Sequence, residues 1–389
     1  MIPYGRQDIT EDDLAAVRAV LTSDFLTQGP RVPEFEALVA KAAGAAHGVA
    51  ANSATSALHI ACMALGLGPG DWLWTVPNTF VASANVGLYC GARVDFVDID
   101  PNSFNMCPEA LATKLEQAKA AGALPKVLIP VHLTGQSADM EKIGTLARQY
   151  GVRVIEDASH AIGAQFGGQP VGSCAFSDIT VFSFHPVKIV TTAEGGVAVT
   201  QDADLAARMT RAASHGITRD PSLMTQPSDG PWYYQQIELG YNYRMTEIQA
   251  ALGISQMQRL GDYVEQRRAI ASFYDAALKD LPLDLPCQDP RSASAWHLYV
   301  IRLQLNTLTL SHRAVFEALR AAGLGVNLHY IPVHTQPYYR QFGFAQGDFP
   351  NAEGYYERAI SIPLFASMTE PQRDEVVAIL RATLVQATA

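Results

Sequence analysis

The residues of this 389-residue chain best suited to chemistry fall between positions 151 and 200. The apolar run VRVIED ends in Glu156 and Asp157, followed by Ala158, Ser159 and His160. A carboxylate at the C-terminal end of a buried parallel strand points into the crevice where such sheets take their ligands. Taken alone, Asp157 reads better as a helix N-cap, a position that favours Asp. About thirty residues later, FSFHPVK sets Ser183, His185 and Lys188 just after another strand, and TTAEGG turns into the next. Lys188 has apolar neighbours. Together, a strand-end Asp and a loop Lys at one sheet edge match a pyridoxal 5'-phosphate (PLP) site. The lysine amine forms a Schiff base there, and the carboxylate keeps the pyridine nitrogen protonated so that the ring serves as an electron sink.

Such a site also needs an anion cup and a face for the ring. ANSATSALHIACMALG (51–66) is a small-residue turn opening a helix. Ser53, Ala54 and Thr55 would offer hydroxyls and backbone N–H groups at a helix N-terminus, where the dipole favours an anion. An ordinary cap without ligand explains the same residues. Ser183 would add a hydroxyl, and Phe80 in VPNTF follows a strand at the matching edge, where it would stack on the ring. Other signals fail. Gly66, Gly68 and Gly70 in LGLGPGD follow a helix instead of a strand, and Pro69 spoils a phosphate cradle. There is no GxxxxGK[ST] and no HExxH, and the histidines are dispersed; His334 reads as a polar loop residue, not a zinc ligand.

The elements that must position these groups alternate. Strand candidates WLWTV, RVDFVD, KVLIPVHL, VRVIED, ITVFSF and GVAVT are separated by helical stretches up to about residue 215. This is the signature of an α/β protein with a mostly parallel sheet covered on both faces. From about residue 245 a long helical region, MTEIQAALGISQMQRLGDYVEQRRAIASFYDAAL, leads to a strand HLYVIRLQL, a helix SHRAVFEALRAAG, a strand VNLHYIPV and a last helix TEPQRDEVVAILRATL. The division expected is a large domain over residues 1–245, with an N-terminal arm, and a linking helix with a small C-terminal α+β domain over 246–389.

Composition bounds the function. Hydrophobic residues make up 48% and charged residues 17%, a globular balance. Lys plus Arg is 28 and Asp plus Glu 38, so the net charge is 28 − 38 = −10, which disfavours nucleic acid or an acidic membrane as partner. No apolar run approaches the ~18 residues of a membrane span. MIPYGRQDIT has no signal-peptide pattern, and five scattered cysteines without a CxxC pair fit free thiols. A cytoplasmic protein is expected.

The combination SATSALH, PNTFVASAN, EDASHAIGA, FSFHPVK…TTAEGG and GYNYRMTEIQAALG resembles the DegT/DnrJ/EryC1/StrS family of nucleotide-sugar aminotransferases over nearly the whole chain. Within the family, LTQGP (26–30), NSATSAL, FHPVK and HYIPV (329–333) are most similar to members of pseudaminic acid synthesis, which aminate C4 of a UDP-linked 4-keto-6-deoxy-N-acetylhexosamine. The resemblance implies a fold type I PLP enzyme, a homodimer with shared active sites, and L-glutamate as amino donor. It implies Lys188 as the Schiff-base lysine, Asp157 as partner of the pyridine nitrogen, His160 beside the ring and Phe80 stacked on it. Ala54, Thr55 and Ser183 would hold the phosphate, with Asn242 reaching it from the neighbouring subunit; the alternative for Asn242 is a helix cap. Tyr4, Leu26, Thr27, His329 and Tyr330 would face the sugar. Some members carry histidine in place of the lysine and act as dehydratases; Lys188 retains aminotransfer. His185 is given no role. The alternatives are a GDP-perosamine-type or other nucleotide-sugar 4-aminotransferase, and, from another class, a PLP-binding regulator without turnover. A nicotinamide oxidoreductase is disfavoured by the failed glycine motif.

Overall fold

Seven strands form the central sheet of the computed structural model, which describes residues 1–387. In chain order within this sheet they are β1 (His47–Ala51), β2 (Trp72–Thr75), β3 (Arg93–Phe96), β4 (Val127–Leu128), β5 (Arg153–Asp157), β6 (Ile179–Ser183) and β7 (Gly196–Thr200). The spatial order is β1-β7-β6-β5-β4-β2-β3. Six strands run parallel; β7 alone is antiparallel to both its neighbours. Every residue of β6 and β7 is buried, as expected for strands covered on both faces. Helices Ala54–Ala64, Ala82–Tyr89, Pro108–Ala121, Met140–Tyr150 and Ala203–Ala213 alternate with the strands. Several ends are written into the sequence: Pro108 opens its helix, and Gly122 and Gly151 close theirs in the left-handed conformation.

The C-terminal part has its own antiparallel sheet of Leu283–Asp284, Tyr299–Leu303 and Ala359–Ile362, flanked by helices His312–Ala321 and Glu370–Gln386. Its core gathers Tyr274, Tyr299, Ile301, Leu319 and Leu380. Val300, Val333, Tyr339 and Tyr355 of the same half pack instead into the main core, so the two parts share a broad seam. The N-terminal arm crosses that seam. Ile2–Pro3 pairs in parallel with Leu324–Gly325, and Ile2 is buried in the C-terminal core.

Two expected elements differ. The long helical region is two helices, Glu247–Met257 and Leu260–Leu278, broken around Gln258. VNLHYIPV is not a strand; the short strand Leu324–Gly325 ends just before it, Asn327 makes one isolated bridge to Ser361, and the chain then runs on as a loop. Pro332 cannot donate to a ladder, and His329 and Tyr330 turn toward the seam instead. No helix among the described residues is long and apolar enough to cross a membrane.

Candidate active site

Asp157 lies at the C-terminal tip of β5, next to β6, whose end carries Ser183. Side chains alternate along a strand, so the two adjacent carboxylates of β5 serve opposite faces. Glu156 faces a buried polar cluster. It accepts hydrogen bonds from His132 Nε2 at 2.7 Å, from the Ser177 hydroxyl and from Thr180 Oγ1 at 3.3 Å. Burial acts to raise its pKa, but His132 and these hydroxyls hold it below the usual carboxylate range. Because His132 Nδ1 accepts the Ala138 N–H, its Nε2 carries the proton given to Glu156.

Asp157 faces a cavity of about 630 Å³ at the seam between the two halves. Its Oδ2 accepts from Ser83 Oγ at 2.7 Å, and its Oδ1 accepts from the Ser159 N–H at 3.1 Å and Oγ at 2.6 Å. These donors fix the carboxylate in place and leave it lone pairs to spare. Lys188 stands in the turn between β6 and β7 and lines the same cavity; its N–H donates to the His185 carbonyl. The amine has no hydrogen bond or ion pair among the described residues. Burial lowers its pKa to about 8, against the pull of Asp157 in the other direction. It is therefore a nucleophile held partly neutral near physiological pH.

The helix Ala54–Ala64 aims its N-terminus at this space. Ser53 caps it by accepting the Ser56 N–H, while the N–H groups of Ala54 and Thr55 have no partner among the described residues. A Cβ on Gly196, at the start of β7, would lie 2.5 Å from Ala54 Cα and 2.6 Å from Ala54 N. Glycine there is what lets the helix end sit against the sheet edge, beside Ser183, which Gly196 faces across the ladder. Free N–H groups, a buried hydroxyl, a free amine and an anchored carboxylate fit PLP: phosphate at the helix N-terminus, aldehyde at Lys188, ring nitrogen at Asp157.

Around this centre are Tyr4, Phe80, His160, His329 and Tyr330. Phe80 is largely exposed, its ring 6.2 Å from that of Tyr330. His160 and His329 are buried and held neutral. Burial, with the charge of Lys188 adding to it, drives His160 well below its ordinary value and His329 down to about 3. Tyr4 sits against His329 at 5.3 Å, delivered by the N-terminal arm.

Three expected residues lie outside this cavity. Leu26, Thr27 and Asn242 are exposed; Thr27 bridges to Thr246 and the Glu247 N–H donates to the Leu26 carbonyl, while Asn242 bridges to Ser214. Asn242 is not a helix cap: Thr246 caps Glu247–Met257, in a reciprocal box with Gln249. His334 is no polar loop residue either; it is fully buried and bonded to Glu353 at 2.9 Å. Ser83, Ser159, Asn327 and His297 belong to the site but were not foreseen. Ser83 had one legible signal, its i,i+4 spacing from Thr79, to which it is bonded at 2.8 Å. The pair His185–Glu194, 3.9 Å apart, stands at the rim.

Comparison with known proteins accords with this geometry. Residues 7–381 match the model of the DegT/DnrJ/EryC1/StrS aminotransferase family, and the chain belongs to that family. Its architecture is that of the fold type I PLP-dependent transferases. The spore coat polysaccharide biosynthesis protein SpsC of Bacillus subtilis (strain 168) is 38% identical over 383 residues, 98% of this chain and 96% of that one. The structure of Helicobacter pylori PseC, an aminotransferase of pseudaminic acid biosynthesis, superposes with a TM-score of 0.89 at 30% identity, covering 99% of both chains. The sugar aminotransferase Spr1654 of Streptococcus pneumoniae, described as putative and solved in a PMP form, gives 0.90 at 28% identity over 99% of this chain and 100% of that one.

Proposed function

We propose that this aminotransferase uses PLP to move an amino group from L-glutamate to C4 of a UDP-linked 4-keto-6-deoxy-N-acetylhexosamine, as a cytoplasmic homodimer. The observation that carries the reading is the unpartnered amine of Lys188 in a cavity with an anchored Asp157 and an open helix N-terminus. The likeness to PseC supports the sugar. The higher identity to SpsC, a protein of spore coat polysaccharide biosynthesis, favours as a second reading a different sugar acceptor.

PLP, when bound, supplies the electron sink that makes the carbon bearing the amine acidic. The chain's own residues do the rest. Ala54, Thr55 and Ser183 would bind the phosphate, and Phe80 would cover the ring. Asp157, fixed by Ser83 and Ser159, keeps a proton on the ring nitrogen. Lys188 would hold the cofactor through its Nζ, and the same amine, standing beside the substrate carbon, would take a proton from it and return one nearby. An amine with a pKa near 8 does both at neutral pH. Tyr4, His329 and Tyr330 face the sugar. Leu26, Thr27 and Asn242, all exposed, reach the site of a second copy.

Borohydride reduction of the PLP-loaded protein followed by peptide mapping is expected to place the pyridoxyl mass on the peptide containing Lys188; a label elsewhere overturns the assignment. Incubation with glutamate and UDP-, GDP- and dTDP-linked 4-keto sugars, read by mass spectrometry, then identifies the acceptor. An amine on the UDP sugar is expected.

A further inference from the structure

One backbone turn packed against His160, a residue of the cavity wall, is strained. Thr134 is β-branched and yet has φ 63°, and Gly135 after it has φ 106°. Left-handed backbone is costly for a β-branched residue, and persists where the surroundings over-determine it. Here they do. The Thr134 carbonyl accepts the Leu298 N–H at 3.1 Å, and the Gly135 carbonyl accepts the Ala295 N–H at 3.0 Å. A Cβ on Gly135 would lie 2.8 Å from Trp296 N and 3.0 Å from the His160 carbonyl oxygen. Trp296, opposite, is also left-handed at φ 49°. The turn thus locks the sheet edge to the segment 295–298 of the C-terminal half.

What the turn presents is the Thr134 N–H, 3.3 Å from His160 Nδ1. A backbone N–H only donates, so Nδ1 is an acceptor and the ring hydrogen of this neutral imidazole is on Nε2. Nε2 lies 3.1 Å from the Tyr330 hydroxyl oxygen. His297 packs on the His160 ring with centroids 4.5 Å apart and holds its plane. Tyr330 oxygen therefore accepts from His160. Its own O–H has no acceptor among the described residues, and it borders the cavity.

We propose that the chain Thr134 N–H, His160, Tyr330 is a one-way hydrogen-bond relay that makes Tyr330 a catalytic proton donor to the carbonyl oxygen of the keto substrate, with His160 its positioning residue. This deepens the reading given above and rests on it. The step balances. As the amine nitrogen bonds to the carbonyl carbon, Tyr330 protonates the oxygen and regains a proton from that nitrogen. When the C–O bond breaks, a second proton passes the same way, and the oxygen leaves as water. Two N–H hydrogens end on oxygen, with no oxidant or reductant. The His160 N–H stabilises the transient phenolate.

Two measurements test it. Nitrogen-15 spectra of histidine-labelled, cofactor-free protein are expected to show His160 neutral with its hydrogen on Nε2; a hydrogen on Nδ1, or a charged ring at neutral pH, overturns the relay whatever the enzyme's substrate. Single-turnover kinetics of Tyr330→Phe are expected to slow both amination of the keto sugar and release of 2-oxoglutarate by about 10²–10³, since the two pass through the same carbonyl–amine step in opposite directions, and to slow exchange of the glutamate 2-hydrogen with solvent far less. Equal slowing of hydrogen exchange and of carbonyl formation, or of neither, overturns the assignment. His160→Gln, which keeps a side-chain N–H donor, is expected to retain most of the sugar half-reaction, and His160→Leu to lose it; equal rates in the two overturn the positioning role. If the unaltered protein aminates no keto sugar, the functional reading fails instead, and the spectra still decide the relay.

Discussion

Lys188 is the residue whose titration is set most directly by its surroundings. Burial brings its amine down to about 8 while Asp157 opposes the fall. Only the neutral amine captures an aldehyde. Capture of PLP by cofactor-free protein, followed by absorbance, is therefore expected to rise about tenfold per pH unit below pH 8 and level off above it. A break only above pH 10 contradicts the burial. Asp157→Asn removes the opposing charge, so the break should move to lower pH. The same substitution is expected to slow the glutamate half-reaction by about 10²–10⁴; near-normal rates would reduce Asp157 to a structural acceptor for Ser83 and Ser159. At this scale the sequence is a good guide to groups that act from strand ends, since the end of a run such as VRVIED is visible. It is silent on partners brought from afar. Ser83 is 74 positions from Asp157, and His132 is 24 from Glu156.

Among the elements, the helix Ala54–Ala64 and strand β7 depend most on each other. Gly196→Ala would drive its Cβ into the Ala54 backbone, with no flexible side chain to yield. We expect a loss of roughly 1–3 kcal/mol of stability, seen as a lower Tm, and weaker PLP binding because the N–H groups of Ala54 and Thr55 move. Unchanged PLP affinity would mean that the cup lies elsewhere. Thr246→Ala removes one side of a capping box and should cost about 1 kcal/mol in denaturant titration, without changing the cofactor spectrum. Strand–helix alternation made the central sheet legible, because strands buried on both faces are continuous apolar runs. The loop at 326–333 was not: apolar and β-branched residues there pack at a seam, and Pro332 and the pull of the cavity override their strand propensity.

For the whole molecule, the proposed homodimer requires that some exposed apolar surface be covered by the second copy. Ile217–Thr218 and Gln235–Gln236 form an isolated two-stranded ribbon, an element marginal by itself in water. Around it Trp232 is 73% and Leu239 70% exposed. Trp232→Asp with Leu239→Asp is expected to shift the mass in solution from dimer to monomer and to abolish turnover; an active monomer refutes shared sites. Mixed dimers of Lys188→Ala and Asn242→Ala subunits should recover part of the activity, since one site in each is intact. The proposed dimer rests on the resemblance, because a surface that a partner would close looks, in one chain, like ordinary loops.

The pairing of Ile2–Pro3 with Leu324–Gly325 also sets a timetable. The strand made first waits for a partner encoded 322 positions later (324 − 2). At bacterial-to-eukaryotic synthesis speeds that wait is roughly 15–65 s. The central sheet has all seven strands by residue 200 and can form while the arm is still loose, so Tyr4 reaches His329 only at the end of synthesis. The nascent chain can therefore form the helix end at Ala54 and the Lys188 turn well before Tyr4 and His329 meet.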